Sequence, residues 1–253
     1  MPFPLFPNNA FPPSRNANCF CGSGKRFKHC CGSQAADRVP PHGVHIRDAF
    51  LAGDELSSLL ALAEQTEGKR FTVPDGQGGR SYDPQRQTEW VNFRETGQRM
   101  LDQLVARAFS EVINPAEGRD IAWYEEPQLL RYRSGGHYLH HSDAWQLVPE
   151  QRAWRKVVDR DISMLLYLDD DYAGGELEFK RFSYRLRPRA GMLVWFPSDV
   201  RYEHMAMPVT AGTRSVIVSW AALAGVERVQ EKIANRAILW PSLEKQIRPG
   251  DSD

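Results

Sequence analysis

Leu130-Arg-Tyr-Arg-Ser-Gly-Gly-His-Tyr-Leu-His-His-Ser-Asp143 is the stretch on which the fold turns. An apolar segment of strand character runs into a Gly-Gly break, and His141 and Asp143 follow two residues apart. Side chains two apart on an extended strand share a face, so an imidazole and a carboxylate converge on one point. One more histidine completes the two-histidine, one-carboxylate face of non-haem iron sites, which leaves the other coordination positions open. Of the histidines at 29, 42, 45, 137, 140, 141 and 204, only His204 lies beyond the pair, at the start of an apolar strand that can project a side chain into a barrel mouth. Strand parity turns His140 away from Asp143. It leaves His137 on the His141 face but too far along to reach the same ion. Both read as ordinary polar strand residues. A helical zinc pair made by His137 and His141 would need a helix across Gly135-Gly136, and it lacks the glutamate that such chemistry uses.

Working outward, short apolar runs separated by turn signals occupy residues 127–133, 162–168, 176–179, 184–186, 192–196, 204–207 and 214–220. This spacing predicts a sandwich or barrel rather than alternating β-α units, with residues 169–175 as a hairpin connection. In the last run, alternation puts Arg214, Val216, Val218 and Trp220 on one face. A guanidinium turned towards an apolar interior needs an anion, because an unpaired buried charge is costly. Its planar fork suits a carboxylate held bidentately. That anion is either a protein acid or the distal carboxylate of a bound 2-oxoacid, and a three-ligand metal face favours the second. Ser163, Leu165 and Tyr167 share one face of their run, where hydroxyls can donate to a carboxylate. Tyr132 is a further donor of this kind.

Upstream the periodicity is helical. Leu56, Leu59, Leu60 and Ala63 recur at i, i+3, i+4 and i+7, with Asp54 as the expected cap and Gly68 as the stop. A second helix is predicted from near Thr96, with Met100, Leu101, Leu104, Val105 and Ala108 on one face and Asn114-Pro115 ending it. Residues 71–90 between them have no period and read as a lid or binding loop, or as a plain surface excursion. Val226–Arg236 has helical character, and Pro249–Asp253 reads as a frayed end. Trp145, Trp154, Arg152, Arg155 and Lys156 are expected either to flank the site entrance or to be solvated surface.

All four cysteines fall between Cys19 and Cys31, in Asn-Cys-Phe-Cys-Gly-Ser-Gly-Lys-Arg-Phe-Lys-His-Cys-Cys-Gly, residues 18–32. That clustering argues against a distributed disulfide framework and for one tetrahedral Zn(II). So small a segment takes most of its folding free energy from the metal. The run resembles the SEC-C motif, a zinc module appended to many bacterial proteins. The resemblance implies Cys19, Cys21, Cys30 and Cys31 as ligands, with His29 as an alternative to one of them, and docking on a protein or ribosome partner.

The 253-residue chain is 42% hydrophobic and 25% charged, with zero formal net charge. That allows one large core plus a small appendage and gives no global attraction to nucleic acid or to an anionic membrane. No apolar run reaches the ~18 residues of a bilayer span, and Met-Pro-Phe-Pro-Leu-Phe-Pro lacks the basic flank of a secretory signal. A cytoplasmic location and no membrane partner are therefore expected.

Over about residues 44–222 the chain resembles the prolyl-4-hydroxylase-like branch of the 2-oxoglutarate- and Fe(II)-dependent dioxygenases. The resemblance rests on Tyr132-x-x-Gly135 with Tyr138-x-x-His141-x-Asp143, and on Arg160-x-x-Ser163-x-x-x-Tyr167-Leu168. It also rests on Gly174-Gly175-Glu176-Leu177-x-Phe179, on Gly191 to Phe196, and on His204 with Pro208-Val209, Gly212 and Arg214. It implies a mainly β fold with flanking α: a double-stranded β-helix, jelly-roll or cupin-like, supported by N-terminal helices. The implied Fe(II) ligands are His141, Asp143 and His204. Arg214, helped by Tyr132 and Tyr167, would hold 2-oxoglutarate, and Trp220 would line the pocket.

The implied reaction uses O2 to hydroxylate a C–H bond, releasing succinate and CO2, with ascorbate as a candidate reductant. Retention of Asp143 favours hydroxylation over halogenation. The expected substrate is a protein or peptidyl group, prolyl among the candidates. The alternatives are a free amino acid or other small molecule and, from another class, a ribosome- or chaperone-associated binding protein with a non-catalytic barrel. The expected organisation is a flexible lead-in (1–17), a zinc module (18–33), a linker (34–46), the oxygenase domain (47–225, helical to 120 and β from 121), and a C-terminal helix and tail (226–253).

Overall fold

The computed structural model describes residues 6–7, 13–33, 39–74, 80–93, 95–233 and 237–240. Much of the expected lead-in, part of the linker and the tail beyond residue 240 lie outside the described residues. Every residue of Ile162–Tyr167 is buried, which requires cover on both faces of the strand. Leu193–Pro197 and Arg214–Leu223 flank it. The larger sheet runs His45–Arg47, Leu193–Pro197, Ile162–Tyr167, Arg214–Leu223, Gln128–Tyr132, Glu89–Val91, Gly68–Arg70. Ile121–Glu125 and then Ala237–Leu239 add to the far end of the long strand.

The two faces of this sheet serve different cores. Met164, Leu166 and Leu168 join Leu129, Ile217 and the helices on one side. Leu165 and Tyr167 join Leu130, Tyr132, Val216 and Val218 on the other, facing a smaller sheet. That sheet runs Tyr184–Leu186, Leu177–Phe179, His204–Ala206, His137–His141, Arg86–Gln87. Leu166, Leu193 and Phe179 have no exposed surface, and each such side chain contributes about 1.5–3 kcal/mol. Two antiparallel sheets pressed together, with helices outside the larger, form a jelly-roll, the double-stranded β-helix.

The first helix, Gly53–Gln65, buries Leu59 and Ala63. Its N-cap is Ala52, with no side-chain cap; Asp54 instead stands in the first turn, where its charge meets the positive end of the helix dipole. The other end is closed from the sheet. Buried Arg131 donates through Nη2 to the carbonyls of Ala63, which also accepts the Thr66 N–H, and of Thr66, adding side-chain donors at the carbonyl end of the helix. Thr66 is thus the cap, and Gly68 opens a strand.

The second helix, Glu95–Arg107, continues through a π-helical stretch, Ala108–Ile113, and an α-turn, Asn114–Glu117. Pro115 does not end it. It falls where the π-helical stretch passes into the α-turn, and Gly118 at φ 61° closes the element. Leu101, Leu104, Val105 and Ala108 are buried, whereas Met100 is 38% exposed and lies off the buried face.

Residues 169–175 do not form the expected hairpin. Tyr172–Gly174 pairs with Val209–Gly212 and carries the chain from one sheet to the other. Nor do the described residues 226–233 form a helix. The Asp159 carboxylate accepts from the N–H groups of Val229 (2.8 Å) and Gln230 (3.1 Å), so tertiary bonds replace a helical ladder. Among the described residues no helix is long and apolar enough to cross a membrane.

Asp169 anchors the crossover by accepting the Ser215 N–H on both carboxylate oxygens, at 2.9 and 3.0 Å. Burial pushes its carboxyl up to about 6. The folded value lies above the ~3.9 of an unfolded chain, so the folded state binds the proton more tightly. This contribution is greatest below about pH 4 and is lost as pH rises through about 6. Asp169→Asn should flatten that part of the stability–pH curve, as read by melting temperature against pH.

Candidate active site

His137–His141 and His204–Ala206 pair with a shift in register: Tyr138 lies opposite Ala206 and His141 opposite His204. Three steps on one strand against two on the other make a β-bulge. Simple parity therefore fails across it, which corrects the face expected of His137. Tyr138, not His137, shares the side of His141 and stacks on its ring at 3.5 Å between centroids. The His137 ring lies instead against the carbonyls of Gly135 (2.9 Å) and Pro84 (3.3 Å), and the His140 ring lies 3.1 Å from Glu178.

His141, Asp143 and His204 come together with their donor atoms within 4.8 Å of one another. His141 Nε2 is 3.6 Å and His204 Nε2 3.7 Å from the Asp143 carboxylate. The Nδ1 atoms sit against the carbonyls of Leu139 (2.8 Å) and Tyr202 (3.0 Å). A carbonyl can only accept, so each Nδ1 carries the proton and each Nε2 keeps its lone pair for an ion.

Burial and the neighbouring His141 push His204 down to about 4, so the ring is neutral at neutral pH. Burial alone would raise Asp143, but His204, His141 and Arg160 outweigh it and hold the carboxyl below the usual carboxylate range. The carboxylate is also oriented from behind. Ser163 donates to Asp143 Oδ2 at 2.6 Å, and Ser198 Oγ lies 2.7 Å from Ser163 Oγ. Arg160 donates to the Asp143 carbonyl while forking onto Glu125 and lying 3.8 Å over the Trp220 ring.

The same cavity, about 220 Å³, is lined by Arg214, Tyr132, Trp220, Phe71 and Arg86 as well as the triad. Arg214 is 1% exposed. Its Nη2 donates to Tyr167 Oη at 3.3 Å, and the rings of Tyr132 and Tyr167 lie 4.7 and 5.0 Å from the guanidinium carbon. Its Nε and Nη1, and the Tyr172 hydroxyl, are buried without hydrogen-bond partners among the described residues. A buried guanidinium with two unused donors fits a carboxylate ligand.

At the N-terminus, Cys19, Cys21, Cys30 and Cys31 bring their sulfurs within 4.8 Å of one another. Cys21–Cys30 and Cys30–Cys31 measure 3.6 and 3.8 Å. His29 is exposed and is not part of the cluster. Burial and the adjoining cysteines push the Cys31 thiol up, a cost that a bound cation would reverse. The donor set fits zinc.

Apart from His29, every sequence-derived ligand candidate thus lands in one of two clusters. Trp145, Trp154, Arg152, Arg155 and Lys156 do not line the cavity: Trp154 is buried, and Lys156 pairs with Asp161 at 2.8 Å. Of the 71–90 segment, Phe71 and Arg86 do line it. Ser198, Glu125 and Tyr172 carry no chemical signal in sequence, and Tyr138 carries one only through the resemblance, because their roles follow from which strand faces which.

Residues 127–222 match the family profile described as the 2OG-Fe(II) oxygenase superfamily, and residues 15–33 match the SEC-C motif. By these matches, residues 127–222 are similar to a 2-oxoglutarate- and Fe(II)-dependent oxygenase domain and stand behind an SEC-C motif. Within that class this chain's curated relatives are prolyl hydroxylases. It is 38% identical over 113 residues to human prolyl 3-hydroxylase 3, covering 41% of this chain and 15% of that one. It is 32% identical over 102 residues to rat prolyl 3-hydroxylase 2, covering 37% and 14%. The chain thus spans about 15% of the length of these curated relatives.

Solved structures share the fold. The viral collagen prolyl hydroxylase of Paramecium Bursaria Chlorella virus-1 aligns with TM-score 0.52 at 19% identity, covering 71% of this chain and 96% of that one. A Pseudomonas putida prolyl-4-hydroxylase aligns with TM-score 0.51 at 23% identity, covering 71% and 92%.

Proposed function

We propose that this chain hydroxylates a C–H bond of a protein or peptidyl substrate, prolyl among the candidates, using 2-oxoglutarate and O2. The observation that carries the reading is Arg214, with two unpartnered guanidinium nitrogens lining the same cavity as His141, Asp143 and His204. His141, Asp143 and His204 would hold Fe(II). Arg214 and Tyr167 would receive the distal carboxylate of 2-oxoglutarate, with Tyr132 and Trp220 as walls. Bound iron supplies O2 activation coupled to release of succinate and CO2. Ser163 and Arg160 keep Asp143 in place, and the apolar surround of Leu165, Val216 and Val218 excludes water from the carboxylate pocket. The SEC-C motif would bring the enzyme to a protein or ribosome partner.

A small-molecule substrate is the second reading, favoured by the modest cavity and by Phe71 and Arg86 beside it. The test has two stages. Fe(II)-loaded protein should bind 2-oxoglutarate anaerobically and form succinate in air, and His141→Ala should lose the turnover. Mass spectrometry of a proteome with active or His141→Ala protein should then reveal a peptide gaining one oxygen atom. Absence of both 2-oxoglutarate binding and succinate with iron loaded would sink the proposal. Turnover with an oxygenated metabolite and no oxygenated peptide would move the assignment to the second reading.

A further inference from the structure

The cysteine cluster does not stand apart from the barrel. Cys19 and Cys21, 5% and 2% exposed, are buried in the same apolar cluster as Phe179, Phe196 and Tyr202 of the barrel. Phe20 packs on Phe182 at 5.0 Å, and Phe182 packs on Tyr202 at 5.3 Å. A chain of hydrogen bonds follows the same route. The Cys21 carbonyl lies 3.0 Å from His42 Nδ1; Tyr202 Oη donates to the His42 carbonyl at 2.7 Å; and the Tyr202 carbonyl takes the Nδ1 proton of His204 at 3.0 Å. Arg201 Nη1 adds a bond to the Phe20 carbonyl at 3.2 Å. The approach is close enough that a Cβ on Gly43 would lie 2.2 Å from Tyr202 Oη.

We propose that the cysteine module is a positioning element of the iron site: with its own ion bound, it fixes, through His42 and Tyr202, the backbone carbonyl that orients His204. The inference rests on reading His141, Asp143 and His204 as metal ligands. A segment of this size has no core to hold it without a metal. Without its ion, the Cys21 carbonyl loses the geometry that holds His42, and the Phe20 ring the one that packs it on Phe182 beside Tyr202. A liganding imidazole has to be held within about 0.5 Å and 10–20° of its productive pose. A module that served docking alone would have no need to bury two of its ligands in the barrel core.

The test titrates zinc-loaded full-length protein with Mn(II), followed by loss of the free Mn(II) electron paramagnetic resonance signal. Mn(II) prefers oxygen and imidazole over thiolate, so it reports on the triad. Tyr202→Phe, with zinc content unchanged, keeps the carbonyl that orients His204 but cuts its tie to His42, and should weaken Mn(II) binding about threefold, less than the roughly tenfold cost of removing an outer-shell partner outright. A zinc-free Cys30→Ser/Cys31→Ser variant should weaken it at least as much. The combination should cost less than the sum, because both changes cut one path. Wild-type Mn(II) affinity in both variants, strict additivity, or a lowered melting temperature in Tyr202→Phe with unmoved Mn(II) affinity would each overturn the proposal. Failure of the triad reading looks different: wild-type and His141→Ala proteins would then bind Mn(II) equally poorly, and both ideas would fall.

Discussion

Replacing Arg214 by methionine should raise the melting temperature of the cosubstrate-free protein while removing 2-oxoglutarate binding. The guanidinium is 1% exposed, and two of its nitrogens have no partner. A buried charge short of partners is costly to the folded state, and an apolar side chain of similar length is often more stable in its place. The Tyr132 and Tyr167 rings offset part of that cost, each cation–π contact being worth about 0.5–2 kcal/mol, so the rise should be a few degrees.

The ligand-bound state reverses the sign. Truncating one member of a buried charge pair costs about 2–5 kcal/mol, or roughly thirty-fold to several thousand-fold in 2-oxoglutarate affinity. Mn(II) binding at the triad should survive. Thermal melts with and without 2-oxoglutarate, together with calorimetric titration, read all three effects. A lowered melting temperature with 2-oxoglutarate affinity retained would mean that Arg214 serves a protein acid and not a cosubstrate.

Gly191→Ala should be the most damaging single change to stability. Gly191 sits at φ +74°, and an added Cβ would lie 1.8 Å from the Leu51 carbonyl oxygen. The residue also links elements: its N–H donates to the Tyr167 carbonyl at 2.8 Å, and its carbonyl accepts the Leu51 N–H at 3.1 Å. Alanine therefore has to push the segment leading into the first helix off the larger sheet. Left-handed strain costs about 1–3 kcal/mol, and each buried hydrogen bond left unmade about 1–3 more. A loss beyond about 4 kcal/mol is a large share of the ~5–15 kcal/mol that keeps a domain folded. Gly53→Ala is the control, because Gly53 also has positive φ (+57°) but nothing within 4 Å of its added Cβ. Urea midpoints for the two variants should differ widely; similar midpoints would refute the backbone collision as the cause.

What could be read from the chain was whatever a single strand or helix face carries. Met164, Leu166 and Leu168 against Ser163, Leu165 and Tyr167 is plain alternation, and the two cores divide along it. Arg214 stands out as a charge in an apolar row, and His204 as the one histidine beyond the His141–Asp143 pair. The unread features depend on a second segment remote in sequence. Arg131 closes a helix more than sixty residues upstream. Asp159 unwinds the helical pattern after Val226 by taking its N–H groups. Ser198 reaches Asp143 only through Ser163. Met100 keeps helical spacing, yet it lies off the buried face.

The bulge before His141 has a consequence for the identity of the site itself. Continued in step from the Tyr138–Ala206 pair, the strand would set His140 opposite His204; the extra residue sets His141 there. The chain therefore offers two adjacent imidazoles for a single slot and chooses between them by backbone spacing, as a vernier selects one of two neighbouring marks. Glu178 holds the rejected ring at 3.1 Å from a strand that pairs with His204–Ala206. The bulge thus turns one imidazole to the triad and leaves its neighbour in the chain beside Glu178.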